Sequence, residues 1–299
     1  MRLCATDFWA TYRVVRPFQL PYHSGSLLRG VLGRSLRRVG CADVEHPCEA
    51  DCAQLGSCAY SRLFDPPAPE PAPHRLLHGV TRAPQPLIPL FPPPGRLEFK
   101  TGDAFELGAR LLGPVRPEDG FRLTAALEGM ADFALGRDEG QVVFEQISQR
   151  GPRERPVTLE PREDRPQRLR VDFETPAWLE QRGRLMDDMD CPALFRAVHR
   201  RLTTVCALYG SLARDHDEEF ARRDRLVEAI TTVERRITAV QWERHALERE
   251  ERHPMKGILG FIVFEGAVDE FLPLFRMAEV THIGKATSYG LGRIRVRSA

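Results

Sequence analysis

The chain has 299 residues, enough for two domains of ordinary size, and 42% hydrophobic with 28% charged residues marks it as a folded protein. Lys plus Arg (43) nearly equals Asp plus Glu (42), so net charge alone gives no argument for a nucleic-acid partner. No run of 18 apolar residues is present, and Met1 to Val15 is broken by Arg2, Asp7 and Arg13; neither a membrane span nor a signal peptide is expected, and the expected address is cytoplasmic. In that reducing setting the seven cysteines are not read as a disulfide framework. Lysine occurs only at positions 100, 256 and 285, so the basic side is almost all arginine. Arginine suits bidentate phosphate contacts, although a GC-rich genome also raises its frequency.

In chain order, Phe8–Val15 alternates like a strand, and a polar turn follows. Ser24 is placed to cap a helix over Gly25–Val39, with Leu27, Leu28, Val31, Leu32, Leu36 and Val39 on its apolar face. Arg29, Arg34, Arg37 and Arg38 occupy the opposite face. A cysteine-rich insertion (41–58) and a proline-rich loop (66–94) interrupt the pattern. Strands are expected over Arg96–Thr101 and Phe105–Leu112, a helix over Pro117–Ala134 and a strand over Gln141–Arg150. This completes a domain over residues 1–152, followed by a proline-rich, charged linker at 153–167.

The second half, residues 168–299, repeats the order. It has a strand at Leu169–Glu174, helical stretches at Pro192–Ala213 and Glu218–Ile230, strands at Arg236–Glu243 and Lys256–Glu265, a helix at Val268–Val280 and a strand at Gly290–Arg297. The expected fold is therefore α+β, two tandem ferredoxin-like (βαββαβ) domains with an insertion in the first. One larger α+β domain is the other parse.

Within the second domain, residues 284–292 form a glycine-rich loop with Gly284, Gly290 and Gly292. Glycines permit positive φ and close backbone approach, and exposed backbone N–H groups in such loops can cradle phosphate oxygens. Lys285, Thr287 and Ser288 add donors, and Tyr289 offers a stacking face for a base. Arg293, Arg295 and Arg297 alternate along a strand and would form a basic stripe. Neither the GxxxxGK[ST] spacing of a P-loop nor a dinucleotide fingerprint is present, because the glycines precede a strand. A tight helix-to-strand turn with a solvated arginine face remains the alternative.

Cys41, Cys48, Cys52 and Cys58 have the spacing C-x6-C-x3-C-x5-C, which suits a structural zinc, with His46 able to replace one thiolate. Unliganded thiols and an iron–sulfur cluster are the other readings.

The run His282–Val296 resembles the C-terminal glycine-rich motif of the CRISPR-associated repeat-processing endoribonucleases, the Cas6 family of the RAMP superfamily. The segments Pro21-Tyr22-His23-Ser24-Gly25 through Gly33, Asp172-Phe173-Glu174-Thr175-Pro176 and Lys256-Gly257-Ile258-Leu259-Gly260 resemble other parts of the same family, in the same order. The resemblance implies binding of CRISPR repeat RNA and metal-independent cleavage of the precursor transcript by 2′-OH attack. The products would be a 2′,3′-cyclic phosphate and a 5′-OH. The implied partners are repeat RNA, guide RNA and other CRISPR effector subunits, and no cofactor is implied for the chemistry.

Candidate catalytic residues are His282 and Lys285 at the loop, and Tyr22, His23 and His46 from the N-terminal half, where the family's histidine usually lies. Two alternatives stay open. One is a non-catalytic RAMP-type subunit that holds guide RNA. The other is a zinc-ordered scaffold that pairs its arginine faces with acidic proteins.

Overall fold

The structure is a computed structural model of residues 1–299; described are all residues except 42, 43, 45–47, 49–51, 96, 137, 157–165 and 246–251, and the side chains of 151–156, 244, 245, 252 and 253. His46 lies outside the described residues. The chain forms two compact units, Ala5–Arg153 and Met1–Cys4 with Glu154–Ala299.

The first half runs β1 (Arg2–Arg16), β2 (Phe18–Leu20), α1 (Gly25–Gly40), α2 (Ala59–Phe64), β3 (Leu87–Leu90), β4 (Leu97–Phe99), β5 (Ala104–Leu112), α3 (Pro117–Glu128) and β6 (Gln141–Pro156). Its main sheet has the order β3-β5-β1-β6. Phe8, Ala10, Tyr12 and Val14 alternate along β1 and join Leu28, Leu32 and Leu36 of α1 and Leu123 and Leu127 of α3 in one core. The strand period of two and the helical spacing therefore meet on the same face of the sheet.

The second half runs β7 (Arg168–Ala177), β8 (Glu180–Gln181), β9 (Arg184–Leu185), α4 (Cys191–Tyr209), α5 (His216–Leu226), β10 (Thr231–His245), β11 (Arg252–Glu265), α6 (Leu272–Thr281) and β12 (Ile294–Ser298). Its main sheet has the order β10-β11-β7-β12. Asp190 starts α4 by accepting the Ala193 N–H at 2.9 Å, and Pro192 sits in the first turn, where its missing N–H costs nothing. In each main sheet the strands, numbered by order in the chain, lie 2-3-1-4. Both halves are ferredoxin-like.

Several local expectations differ. The second strand of the first sheet is Leu87–Leu90, inside the proline-rich stretch, and not the segment near Leu97. All four of its residues are buried, so it lacks alternation, and Pro89 is tolerated because the strand lies at the sheet edge. Leu97–Phe99 instead pairs with Phe18–Leu20 in a separate ribbon, where Phe18 and Phe99 stack at 5.0 Å. Ser24 makes no side-chain cap, because it has already turned into helical geometry (φ −75°, ψ −11°) and contributes its carbonyl to Leu28 N–H. The helix begun at Pro117 ends at Glu128, and a 3₁₀ turn, Gly129–Asp132, follows it. Among the described residues no helix is long and apolar enough to cross a membrane.

Candidate functional site

The glycine-rich segment leaves α6 at Thr281 and enters β12 at Ile294. Five positions, His282, Gly284, Ala286, Gly290 and Gly292, have positive φ. At Gly292 (φ +73°) a Cβ would fall 1.9 Å from the Ile283 carbonyl oxygen, and at Gly284 (φ +78°) 2.5 Å from that of Trp178. Both glycines are thus required by close backbone approach as well as by dihedral.

The neck of the loop is closed by Ile283 N–H donating to the Gly292 carbonyl at 2.9 Å, and by the Gly292 N–H donating to Pro176 at 3.0 Å. The Lys285 N–H donates to the Trp178 carbonyl at 2.9 Å. Thr175 joins both strands of the neck: its hydroxyl donates to the Gly290 carbonyl and accepts from the Arg293 N–H, each at 2.9 Å. From α4, the half-buried Arg201 donates to the Thr281 carbonyl at 3.1 Å and to the Thr287 hydroxyl at 3.2 Å. Several of the loop's own N–H groups are therefore committed inside the unit. What this framework presents outward is chiefly side chain: Lys285 is exposed, and Ser288 and Tyr289 are half-buried.

His282 is not among the outward groups. It is 1% exposed, and its Nδ1 lies 3.1 Å from the Leu291 carbonyl oxygen. In this position the ring braces the loop. Lys285 reaches the Glu180 carboxylate, which also holds Lys256 at 2.6 Å. The hydrogen bonds from these two lysines pull the Glu180 carboxyl down to about 2.

The expected basic stripe is built but partly neutralised. Arg293 and Arg295 pair with Glu174 at 3.0 and 3.3 Å, and Arg297 with Asp172 at 3.6 Å. Those carboxylates come from β7, the neighbour of β12, with Arg295 directly opposite Asp172.

In the first unit Tyr22 is 55% exposed and its ring meets that of His23 edge-on, 4.8 Å between centroids. Burial lowers the His23 pKa from 6.5, which keeps the imidazole neutral and able to accept a proton near neutral pH. The arginines of α1 are engaged within the unit. Arg29 lies over Phe64 at 3.9 Å, Arg34 and Arg38 over Phe133 at 5.1 and 4.7 Å, and Arg38 also pairs with Asp132 at 3.1 Å. Arg37 lies near Cys48, where its charge opposes the other influences on that thiol.

Cys41 ends α1 and Cys58 begins α2, and Gly40 approaches Ala59 closely, so the two ends of the insertion meet. Burial first, and then the proximity of Cys41, Cys52 and Cys58, push the Cys48 thiol up. Among the described residues no group of three or more His, Cys, Asp or Glu side chains is already arranged as a metal site.

Sequence reading missed Arg201, Trp178, Glu180 and Lys256 as parts of the loop's surroundings. Only Lys256 carried a usable signal, the rarity of lysine in this chain.

Residues 171–294 match the family model described as CRISPR-associated endoribonuclease Cas6, and residues 3–170 match the N-terminal domain model AF_1859_N. No curated protein matches the chain. Among solved structures it is similar to Thermus thermophilus Cas6 (13% identity, TM-score 0.57, covering 99% of each chain) and to a Cas6 product complex (14%, 0.57, 99% of this chain and 100% of that one). It is also similar to a partial Cas6-RT-Cas1–Cas2 complex (10%, 0.60), where it covers 99% of its own length but spans 46% of that chain. At these identities the structural likeness establishes the shared fold. The Cas6 model thus identifies residues 171–294 as a Cas6-type domain, in a chain that shares the Cas6 fold over its whole length.

Proposed function

We propose that this protein binds the repeat RNA of a CRISPR precursor transcript and cuts it within each repeat without a metal ion. The observation that carries the reading is the braced loop at 282–292. It is held in one shape by Thr175, Arg201 and His282, presents Lys285 and Tyr289, and lies inside the segment that matches the endoribonuclease model. A rigid loop places a phosphate contact and a stacking ring with little ordering cost on binding.

In the proposed reaction the ribose 2′-oxygen attacks the adjacent phosphorus and the bond to the 5′-oxygen breaks. A base takes the 2′-OH proton, an acid supplies one to the leaving oxygen, and no water is consumed. His23 is the better candidate for proton transfer, because its imidazole is neutral and only half-buried, whereas His282 is enclosed. Tyr22, exposed beside it, is assigned to holding the RNA. Lys285, Ser288, Tyr289 and the alternating arginines are assigned to phosphate and base contacts.

The proposal extends to partners. A Cas6 product complex and a Cas6-RT-Cas1–Cas2 complex among the similar structures support retention of guide RNA and association with other CRISPR proteins. It extends also to Cys41, Cys48, Cys52 and Cys58, which we assign to a structural zinc on their C-x6-C-x3-C-x5-C spacing and the meeting of the insertion's two ends. Metal analysis of purified protein is expected to give one zinc per chain, lost in Cys52→Ser; a metal-free wild type would remove this assignment.

Binding is the first test. Repeat RNA is expected to bind more tightly than a shuffled RNA of equal length, with affinity falling steeply as salt rises. Equal affinity for the two RNAs, or none at low salt, would reject the reading.

A further inference from the structure

Two of the chain's three lysines converge on one carboxylate. Glu180 lies on the β8–β9 hairpin, paired in register with Leu185, and its side chain is only 12% exposed. One of its oxygens takes Lys256 from β11 at 2.6 Å, and the other takes Lys285 from the glycine loop. The two ammonium groups also lie 5.9 and 5.7 Å from the centre of the Trp178 ring. Three separate elements thus gather two cations, one anion and one indole at a single point.

An ordinary surface ion pair needs one lysine. Here a second cation shares the same carboxylate, so the group carries one net positive charge. Glu180 is the least exposed of the three, while Lys256 and Lys285 are 32% and 62% exposed. The carboxylate lies inward and the surplus charge faces water. Lysine is also the residue that meets phosphate as a compact point charge, in a chain whose other basic residues, Lys100 apart, are arginines. The hairpin adds Arg182 in its turn and Arg184 in β9, both exposed.

We propose that Lys256 and Lys285 form a two-lysine seat for one RNA phosphodiester, with Glu180 as the positioning residue that holds the two ammonium groups side by side. This inference rests on the RNA-binding reading above and deepens it, because it adds Lys256 and Glu180 to the binding surface. Glu180 does not touch the RNA; it acts through the lysines. No covalent step is involved.

The test is RNA affinity measured over a range of salt concentrations with wild type, Lys256→Met, Lys256→Arg and Glu180→Gln, with thermal unfolding as the check on folding. Lys256→Met is expected to reduce the log–log salt slope by about 0.7, the value for loss of one phosphate contact on single-stranded RNA. Lys256→Arg keeps the wild-type slope. Glu180→Gln raises the net charge by one, so a purely electrostatic effect would tighten binding. The positioning role instead predicts weaker binding, because a neutral amide cannot anchor two ammonium groups. If wild type binds RNA and Lys256→Met keeps its slope, or Glu180→Gln binds more tightly, this inference is overturned alone. If wild type does not bind RNA, the broader reading falls with it.

Discussion

The His282 ring spans the neck of the glycine loop and meets the Leu291 carbonyl with its Nδ1 3.1 Å away. Eight residues of chain separate the two groups, and everything the loop offers to solvent lies between them. A histidine in this place determines the loop's shape before it contributes any chemistry.

His282→Ala is therefore expected to weaken the protein by about 2–4 kcal/mol, through loss of a buried ring and an unpaired carbonyl. RNA affinity falls with it, while cleavage at saturating RNA stays within several-fold of wild type. Denaturant melts and single-turnover rates check this. A normally folded variant that binds RNA and does not cut would return His282 to the catalytic residues.

Gly292→Ala carries a steeper penalty. The added Cβ would meet the Ile283 carbonyl at 1.9 Å, at a φ of +73°. Destabilisation of more than about 3 kcal/mol is expected, from combined backbone strain and overlap. A variant melting within a degree or two of wild type would show that the neck is not held as described.

A buried histidine pair on α4 and α5 gives a pH prediction. His199 and His216 stack at 4.9 Å, each 8% exposed, and the Thr203 hydroxyl lies 3.3 Å from His199 Nδ1 and 3.0 Å from His216 Nε2. Phe220 packs on His199 at 4.1 Å, and Arg223, Asp217 and Asp224 are the charged groups whose fields reach it. Burial, then His216, holds the His199 pKa at about 3, below its ordinary 6.5. The folded state thus binds fewer protons than the unfolded one at acid pH. Stability is complete above 6.5 and is lost as pH falls from there toward 3, by about 2 kcal/mol between pH 7 and pH 5 for this one group. Denaturant midpoints across that range should show the slope, and His199→Phe should flatten it. An unchanged slope in the variant would assign the acid sensitivity elsewhere.

His23→Ala should leave stability within about 1 kcal/mol of wild type, because the ring is only half-buried. Cleavage should fall by a factor of at least about 100, as expected for loss of a general base or acid. With burial lowering its pKa, the basic form of His23 accumulates at a pH below 6.5, so the rising limb of the wild-type rate profile is expected there. A rising limb above 6.5, or an active variant, would exclude His23.

Much of the architecture was legible in the sequence because it rests on periodicity. The alternation of Phe8, Ala10, Tyr12 and Val14 and the helical spacing of Leu28, Leu32 and Leu36 announce the first strand and helix directly. Strand β3 was hidden because Leu87–Leu90 is buried on both faces and contains Pro89, which reads as a breaker unless the strand is known to be at an edge. The loop's glycines were legible, but the groups that brace it were not. Thr175, Arg201 and Glu180 come from 80 to more than 100 residues away in the chain, and their roles exist only once β7, α4 and the β8–β9 hairpin are folded. Arg295 and Arg297 lie on the exposed face of β12, as their alternation implies, while their pairing with Glu174 and Asp172 required the β7–β12 register.

The central claim is that this chain cuts repeat RNA by attack of the ribose 2′-OH, with no metal. The most direct measurement is incubation of the purified protein with end-labelled repeat RNA in excess EDTA, followed by analysis of the new ends. The account predicts one cut per repeat, leaving a 2′,3′-cyclic phosphate and a 5′-OH, and no product from RNA whose nucleotide 5′ of the scissile phosphate is a 2′-deoxynucleotide. Tight binding without cutting, or cutting of the deoxy-substituted RNA, would contradict it.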